Sequence, residues 1–253
     1  MGGAIIGGIV NNGIAAPSDI IVSDANRASV EKTQSLYGIE AAKNNGEATN
    51  SDILFLCVKP NVLYNVIEEI KDTVSGETLI ISIAAGQSIE AIETAFGTKI
   101  KLIRVMPNTP ALVGEGMSAL SPNANVTDAE LETAVDLFNS FGKAEVVPEK
   151  LMDVVTAVSG SSPAYVFMFI EAMADAAVMG GMPRQQAYTF AAQSVLGSAK
   201  MVLETGKHPG ELKDMVCSPA GTTIEAVAVL ENMGLRSSVI EAMRACMEKS
   251  QSM

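Results

Sequence analysis

Short, continuously apolar runs alternate with amphipathic helical patterns in the first part of this chain, and this alternation constrains the fold more than any other feature. The apolar runs are residues 20–22, 53–58, 79–83 and 102–106, with Gly, Pro, Asn or Ser close to their ends. Runs of this kind are typical of strands that are buried on both faces of a parallel sheet. The order therefore predicts βαβ units and an α/β fold with a doubly wound parallel sheet.

Amphipathic helices are predicted between the apolar runs. Residues 62–74 place apolar side chains at a period of 3.6, and residues 89–96 carry a second, shorter stripe. Thr127 and Glu130 have the spacing of a capping box ahead of a third such pattern. Each of these helices is expected to pack one face against the sheet.

The alternation stops after a short apolar run at residues 144–147. From about Asp153 onward the pattern is almost wholly helical and rich in Ala and Met, with breaks at residues 180–181, 206–210 and 218–221. Such a change in composition is typical of a domain boundary. The second half is therefore predicted to be an all-α domain.

We place the predicted boundary so that residues 1–150 form the α/β domain and residues 151–253 the helical domain. The most apolar segment, residues 164–182, contains Glu171 and Asp175, so we expect a buried helix rather than a membrane span. A helical half with so few charges in its first helix would expose apolar surface on a monomer. Dimerisation through this half is therefore expected.

Charge and cysteine content exclude several classes of function. The formal net charge is −12, which repels nucleic-acid backbones and anionic membrane surfaces, so neither is an expected partner. Three widely spaced cysteines (Cys57, Cys217 and Cys246) and one histidine (His208) offer too few ligands for zinc or iron–sulfur centres, so no metal is expected. The cysteine pattern, and an N-terminus without a basic region, favour a cytoplasmic protein.

The N-terminal segment carries part of a dinucleotide-binding pattern. Residues 1–16 are predicted to form a small-residue helix ending at Gly13, and the following strand ends at Asp24. In the Rossmann fingerprint, a last glycine permits close packing of helix on strand, and an acid about 20 positions on binds the adenosine ribose. Gly2 or Gly3 fits that glycine; the alternative is that both are ordinary small helical residues.

The strand and the other glycines that precede this helix in the fingerprint are missing from the sequence. Without that central strand, its two neighbours would have unpaired backbone groups. We therefore expect that roughly ten residues, about one strand plus its turn, are absent from it.

Turns at the strand ends are predicted to surround the dinucleotide, because ligands of open α/β sheets bind beyond the carboxyl ends of the strands. The candidates are Cys57–Pro60, Ala84–Gly86 and Asn108, which lies between two prolines. Lys59 either contacts the cofactor or is a solvated lysine at a helix start.

The choice of cofactor stays open between NAD and NADP. Asp24 would accept hydrogen bonds from the ribose diol and repel a 2′-phosphate, which favours NAD. Asn26 and Arg27, which follow it directly, favour NADP instead.

A small-residue turn at residues 217–221 runs directly into a helix predicted over Ile224–Leu230. Free N–H groups at the start of that helix, with the hydroxyls of Ser218, Thr222 and Thr223, form a nest suited to a carboxylate. An N-capped helix without any binding role has the same local pattern, and it is the alternative interpretation.

The stretch from Leu212 to Ile224 resembles the signature of the pyrroline-5-carboxylate reductase family, which catalyses the last step of proline synthesis. Further segments resemble the same family in the same order: Leu54–Pro60, Met106–Pro110, Ser159–Tyr165 and His208–Gly210. The resemblance extends over essentially the whole chain. It implies a Rossmann domain followed by a helical dimerisation domain, and a homodimer that assembles further into a homodecamer or other ring of dimers.

The resemblance also implies an activity and a set of site residues. The reaction is NADPH- or NADH-dependent reduction of 1-pyrroline-5-carboxylate to L-proline by hydride transfer to a cyclic imine. Thr223 and Ser218 would be the catalytic residues: Thr223 would bind the pyrroline nitrogen or carboxylate, and Ser218, Gly221 and Thr222 would hold the carboxylate. Cofactor contacts would come from Gly2, Asp24, Asn44, Cys57, Val58, Lys59, Pro60, Ile83, Ala84, Ala85 and Asn108.

Departures from the family pattern keep two alternatives open. The missing strand and glycines leave a non-catalytic, truncated paralogue as one, and a related imine or β-hydroxyacid reductase is the other. Ala220 replaces the glycine usual in the family.

Three other groups have chemistry that the reaction does not need. His208 is interpreted as a turn residue, Cys217 as a small hydrophobe, and Glu171 with Asp175 as part of a polar seam or a cap of a partner helix rather than an acid–base pair.

Overall fold

The computed structural model describes residues 1–252, and the chain divides into two compact units. The first contains residues 1–161 together with Met247 and the described residues after it. The second contains residues 162–246. The predicted change from an α/β to an all-α pattern is confirmed, since every strand lies in the first unit.

Strands and helices alternate through the first unit as predicted. Its strands are β1 (Ile21–Val22), β2 (Glu40–Ala41), β3 (Ile53–Leu56), β4 (Leu79–Ser82), β5 (Lys101–Met106), β6 (Gly116–Pro122) and β7 (Gly142–Val146). Its α-helices are α1 (Gly2–Asn11), α2 (Arg27–Tyr37), α3 (Asn45–Ala48), α4 (Pro60–Ile70), α5 (Ile89–Phe96), α6 (Asp128–Asn139) and α7 (Met152–Val155). A π-helix, Thr156–Gly160, follows α7.

The strands form two sheets, one with the order β1-β2 and one with the order β3-β4-β5-β6-β7. Strands β3, β4 and β5 are parallel to one another, as are β1 and β2, and β6 and β7. The predicted parallel sheet is thus confirmed, with one correction: β6 pairs antiparallel with β5. Sequence reasoning missed β6 and β2, since Gly116–Pro122 mixes small and polar residues and Glu40–Ala41 is very short.

Helices cover both faces of the larger sheet, which explains why β4 begins with three consecutive apolar residues. In β4, Leu79 and Ile81 contribute to the core shared with α1 and α6, whereas Ile80 faces the core shared with α4 and α5. Side chains of a strand alternate between faces, so a strand buried on both sides is apolar at every position. The predicted capping box of α6 is present at Thr127 and Glu130.

Glycines allow α1 to lie close to its neighbours. A Cβ on Gly7 would lie 2.6 Å from the Tyr37 hydroxyl oxygen, and one on Gly8 would overlap the Phe141 ring. Helix α1 ends at Asn11, earlier than the predicted end, and Gly13 follows with a φ of +68°.

No strand precedes α1 within residues 1–252, and the β1-β2 pair is not hydrogen-bonded to the larger sheet. Ile20, next to β1, and Ile53 in β3 nevertheless pack against the same core cluster. The expectation that a strand and turn are missing from this sequence stays a prediction.

The second unit contains α8 (Ser162–Met179), α9 (Arg184–Thr205), α10 (Pro209–Val216), α11 (Thr222–Asn232) and most of α12 (Leu235–Gln251). Helices α8 and α9 pack through a small-residue core at Ala174, Ala187 and Ala191. The predicted helix breaks lie between these helices, except that Pro209 and Gly210 are the first two residues of α10. Helix α11 is longer than predicted and begins two residues earlier, at Thr222.

The expectation that residues 164–182 form a buried helix is wrong for a single copy of the chain. Only Ala174 of α8 is buried, and Phe167 and Met168 are 63% and 69% exposed. By length and composition, one helical stretch of the described residues, Glu149–Met179, is apolar enough to cross a membrane. Asp175, in this stretch, forms an exposed ion pair with Arg184.

Candidate functional site

The carboxyl ends of β3, β4 and β5 lie side by side in the first unit. Leu56 is paired with Ser82, and Ser82 with Arg104, so the turns that follow these strands emerge at one edge of the sheet. Two predicted cofactor segments, Cys57–Pro60 and Ile83–Ala85, are therefore neighbours on that edge. Parallel sheets bind their ligands at this edge.

The turn after β3 leads directly into a helix N-terminus. Pro60 occupies the first position of α4, and Lys59 precedes it as an exposed residue with extended backbone. Proline is favoured at this position because its missing N–H would have no partner within the helix. The Lys59 ammonium group is therefore placed at the carboxyl edge, beside the N-terminus of α4.

The start of α1 lies against the end of β3, and the structure distinguishes the two candidate glycines. A Cβ on Gly2 would lie 3.3 Å from Cys57 Cβ, tighter than ordinary van der Waals contact. A Cβ on Gly3 would meet nothing within 4 Å in the described part of the chain. Gly2 is therefore the residue that permits close packing of helix on strand. Burial raises the pKa of the Cys57 thiol to about 12, so the thiol is neutral at this contact.

Asp24 lies just after β1, as predicted, and is exposed. Its Oδ1 accepts a hydrogen bond of 2.7 Å from the Asn26 N–H, and the Asn26 side chain in turn caps α2 by accepting from the Ala28 N–H. Arg27 forms an exposed ion pair with Glu31. The acid and the two residues thought to favour NADP thus belong to one turn.

Asn44 caps the short helix α3, with Oδ1 accepting a 2.9 Å hydrogen bond from the Glu47 N–H. Sequence reasoning missed its neighbour Asn45. The Asn45 Oδ1 accepts from the Ser23 hydroxyl at 2.8 Å, and its Nδ2 donates to Glu69 of α4 at 2.7 Å. Asn45 therefore connects the turn after β1 with α4, a long-range contact that no local pattern reveals.

The predicted cofactor residue Asn108 is buried, and both the oxygen and the nitrogen of its side-chain amide form hydrogen bonds within the protein. The Oδ1 atom accepts from the Met117 N–H at 2.8 Å, and Nδ2 donates to the Ser159 carbonyl at 3.0 Å. Its side chain is therefore engaged in holding the carboxyl edge, a role that the sequence did not indicate.

The polar turn in the second unit begins at Ser218. The Gly221 N–H donates to the Ser218 carbonyl at 3.0 Å, and Ala220 has a φ of +55°. Proline at the second position and a positive φ at the third are the features of a type II turn, which favours glycine at the third position. Ala220 is the one described non-glycine residue with positive φ, so the change from the usual family glycine places an L side chain in the left-handed region.

Gly221 is the N-cap of α11, and no side-chain cap is present there among the described residues. A Cβ on Gly221 would overlap the Ser218 hydroxyl oxygen. The hydroxyl of Ser218 therefore lies directly beside the helix start, where N–H groups and the positive end of the helix dipole favour an anion. Thr223 is half-buried in the first turn of α11, and Thr222 is exposed.

His208 and Asp175 both have structural contacts. His208 caps α10, with Nδ1 accepting from the Gly210 N–H at 3.0 Å. Asp175 pairs with Arg184, which also lies over the Tyr188 ring at 5.4 Å from its centroid. Within the described chain, no group of three His, Cys, Asp or Glu residues is placed to hold a metal.

Comparison with known proteins identifies the family. The model for "Pyrroline-5-carboxylate reductase dimerisation" matches residues 149–253, and the model for "NADP oxidoreductase coenzyme F420-dependent" matches residues 1–86. Pyrroline-5-carboxylate reductase from Escherichia coli (strain K12) is 54% identical over 252 residues, which are 99% of this chain and 94% of that protein. This chain belongs to the pyrroline-5-carboxylate reductase family.

Solved structures of this family share the fold over the whole chain. A pyrroline-5-carboxylate reductase from Coxiella burnetii has a TM-score of 0.92 at 33% identity, covering 98% of this chain and 93% of its own. A pyrroline carboxylate reductase from Plasmodium falciparum, solved with NADP bound, has a TM-score of 0.87 at 34% identity and covers 100% of this chain and 94% of its own. The predicted resemblance and fold class are therefore confirmed.

Proposed function

We propose that this chain reduces 1-pyrroline-5-carboxylate to L-proline with NADPH. The observation that carries the proposal is the uncapped start of α11 with the Ser218 hydroxyl beside Gly221, in a chain 54% identical to a named pyrroline-5-carboxylate reductase. In the reaction the imine carbon gains a hydride and the ring nitrogen gains a proton, so the C=N double bond becomes a single bond.

The start of α11 holds the substrate carboxylate. N–H groups of the first turn and the Ser218 hydroxyl donate hydrogen bonds to its oxygens, and the helix dipole adds a favourable field. Thr223, half-buried in the same turn, offers a hydroxyl to the pyrroline nitrogen or to the carboxylate. Ser218 and Thr223 therefore orient the imine, while Gly221 leaves room for the Ser218 hydroxyl.

The carboxyl edge of the sheet holds the dinucleotide. The close approach of Gly2 to Cys57, and the adjacent turns after β3 and β4, fit a ligand with a long phosphate-linked backbone. When bound, the dinucleotide supplies the hydride. The other proposed contacts are Asp24, Asn44, Val58, Lys59, Pro60, Ile83, Ala84, Ala85 and Asn108.

NADP is the proposed cofactor because the family match is to an NADP oxidoreductase and the Plasmodium falciparum relative holds NADP. Arg27, exposed in the same turn as Asp24, can exchange its ion pair with Glu31 for one with a 2′-phosphate, whereas the Asp24 carboxylate opposes that group. Replacing Asp24 by serine is expected to raise the ratio of NADPH to NADH turnover, by removing this repulsion. An unchanged ratio would show that Asp24 does not face the ribose.

The chemistry needs few ionisable groups. A protonated imine is already electrophilic, so orientation and hydrogen bonding at the nitrogen supply most of what the site must add. The one histidine caps α10 and has no part in the proposed step.

Residues 1–150 and 151–253 are proposed as the two functional domains. The helical domain is proposed to form a homodimer, and the dimers to assemble further into a ring, a homodecamer. The match to the dimerisation model and the exposed apolar residues of α8, α9 and α12 support the dimer, and the start of that match at residue 149 supports the domain boundary. The ring of dimers rests on the family resemblance. We further propose a cytoplasmic protein that enters no membrane and binds no nucleic acid. Light scattering after gel filtration tests the assembly, and a monomer would contradict it.

Thr223→Ala tests the proposed function. It is expected to lower kcat/KM for pyrroline-5-carboxylate by about 10- to 150-fold, the loss of one hydrogen bond to a charged group, with the NADPH Kd nearly unchanged. Thr94→Ala, on an exposed face of α5, is the matched control and is expected to behave like the unaltered chain.

The unaltered chain must oxidise NADPH when pyrroline-5-carboxylate is added. If it binds NADPH but reduces only hydroxyacids or other imines, the substrate assignment is wrong. If it binds no dinucleotide at all, the chain is a scaffold rather than an enzyme.

A further inference from the structure

Asn108 connects two separate segments at the end of β5. Its side chain is 8% exposed, and both ends of the amide are bonded: Oδ1 to the Met117 N–H in β6 and Nδ2 to the Ser159 carbonyl. Ser159 lies in the π-helix Thr156–Gly160, far along the sequence. One amide group therefore holds the turn after β5, the following strand and the π-helix together.

The Ser159 carbonyl has a particular need for this donor. In a regular helix it would accept from the N–H four positions later, but that residue is Pro163, which has none. The helix also changes its bonding here, since the Ser161 N–H donates to the Thr156 carbonyl five positions back at 2.8 Å. Because a partly buried carbonyl without a partner is costly, the hydrogen bond from the Asn108 amide stabilises this irregular turn.

The π-helix also touches the last residue of β5. A Cβ on Gly160 would lie 2.8 Å from the Met106 methyl carbon. The segment therefore lies on the carboxyl end of β5, next in line after the turns that follow β3 and β4. Asp24, at the end of β1, is the proposed contact of the adenosine ribose, which would put the nicotinamide end of a dinucleotide toward β3, β4 and β5.

We propose that Asn108 is a positioning residue that fixes the π-helix Thr156–Gly160 on the carboxyl edge of β5, at the nicotinamide end of the dinucleotide site. This inference rests on the proposed function for the identity of the ligand. Short π-helices occur frequently at functional sites, and here one hydrogen bond from the Asn108 side-chain amide fixes the position of the segment. Asn108 acts through Ser159, in addition to the cofactor contact proposed for it.

The test compares Asn108→Ala and Asn108→Asp with Asn123→Ala. Asn123 is a matched control because its Oδ1 accepts from the Leu102 N–H and its Nδ2 donates to the Ile100 carbonyl, at the opposite end of β5. Asn108→Asp keeps an acceptor for the Met117 N–H but replaces the donor to Ser159 with a charged carboxylate oxygen, so its hydrogen exchange, rather than its Kd, tests the lost donor. Asn108→Asp also provides a test of the hydrogen bond to Ser159 if Asn108→Ala does not fold.

Three quantities are measured on the full chain: hydrogen–deuterium exchange of the amides of residues 157–162, the NADPH Kd by fluorescence titration, and the melting temperature. Both Asn108 variants are expected to speed exchange in this segment, and Asn108→Ala is expected to raise the Kd by about five- to tenfold, as for one lost hydrogen bond. Asn123→Ala is expected to lower the melting temperature without either effect.

Unchanged exchange of residues 157–162 in the Asn108 variants would overturn the proposal, as would an equal rise in Kd for Asn123→Ala. The proposed function fails separately, if the unaltered chain oxidises no NADPH with pyrroline-5-carboxylate. The exchange data are independent of that assay, so the two failures are distinguishable.

Discussion

Gly221→Ala is the sharpest test of the substrate site, because the glycine itself need not touch the substrate. The added Cβ would overlap the Ser218 hydroxyl oxygen and lie 3.1 Å from the Ser218 carbonyl oxygen. The Ser218 side chain must then rotate away from the start of α11. Loss of one hydroxyl hydrogen bond to a carboxylate is worth about 1.5–3 kcal/mol, so kcat/KM for pyrroline-5-carboxylate should fall about 10- to 150-fold.

The free energy of unfolding should change little, provided that the Ser218 carbonyl oxygen moves by the few tenths of an ångström that the added Cβ requires. The φ of Gly221 is −85°, which alanine adopts without strain. Alanine is a poorer N-cap than glycine, but it also reduces the entropy of the unfolded chain, and the two effects are of similar size and opposite sign. A steady-state assay at saturating NADPH, with urea unfolding of the same samples, separates activity from stability.

A double-mutant cycle identifies the cause of the loss. If Gly221→Ala acts by displacing the Ser218 hydroxyl, then Ser218→Ala alone should cause a similar loss, and the double variant should be no worse than either single variant. Gly76→Ala is the control, since its Cβ would meet nothing within 4 Å among residues 1–252. Losses that add in the double variant, or wild-type activity of Gly221→Ala, would refute the proposed role of the Ser218 hydroxyl.

Three further predictions follow from single residues. Ala220→Gly should raise the free energy of unfolding by about 0.5–1 kcal/mol in urea titrations, because relief of left-handed strain exceeds the added unfolded-state entropy; a lower stability would contradict this. Lys101 and the Thr127 N–H lower the pKa of Glu130 from 4.5 to about 2, so its stabilisation is complete above pH 4.5 and lost as the pH falls toward 2. The stability difference between the unaltered chain and Glu130→Gln should shrink over that range, and a constant difference would refute the assignment. Burial raises the pKa of the Cys57 thiol to about 12, so a thiol reagent at pH 8 should label Cys217 well before Cys57; equal rates would contradict this.

Burial is complete in the parts of the fold that the sequence predicted best, although β1 was also predicted and is only half-buried. Strand β4 is buried at every position, and Ile89, Ile92 and Phe96 of α5 are all buried, so periodicity in the sequence reported burial directly. The structure of β6 was not predicted, because its pairing with β5 is decided by long-range packing. A strand of small and polar residues carries no period of its own.

Helix α8 shows a different limit of sequence reasoning. Its apolar composition predicted a buried helix, yet only Ala174 is covered within one copy of the chain. The apolar composition of a helix reflects the burial of its side chains in the functional assembly. The structure of a single chain shows only the burial within that chain. The exposed Phe167 and Met168 are therefore best explained by the proposed dimer.

The candidate site also contains residues that a local sequence pattern predicts and residues whose contacts depend on the whole fold. Ser218 and Gly221 were identified because they form one local turn, whose residue types report its geometry. Asn108 was identified as a cofactor residue from its place after β5, but its partners, Met117 and Ser159, are remote in sequence. A local pattern can therefore place a residue at an edge of the sheet, while the atoms it bonds depend on the whole fold. For this reason Asn108 was predicted at the correct edge and without its role in holding the π-helix.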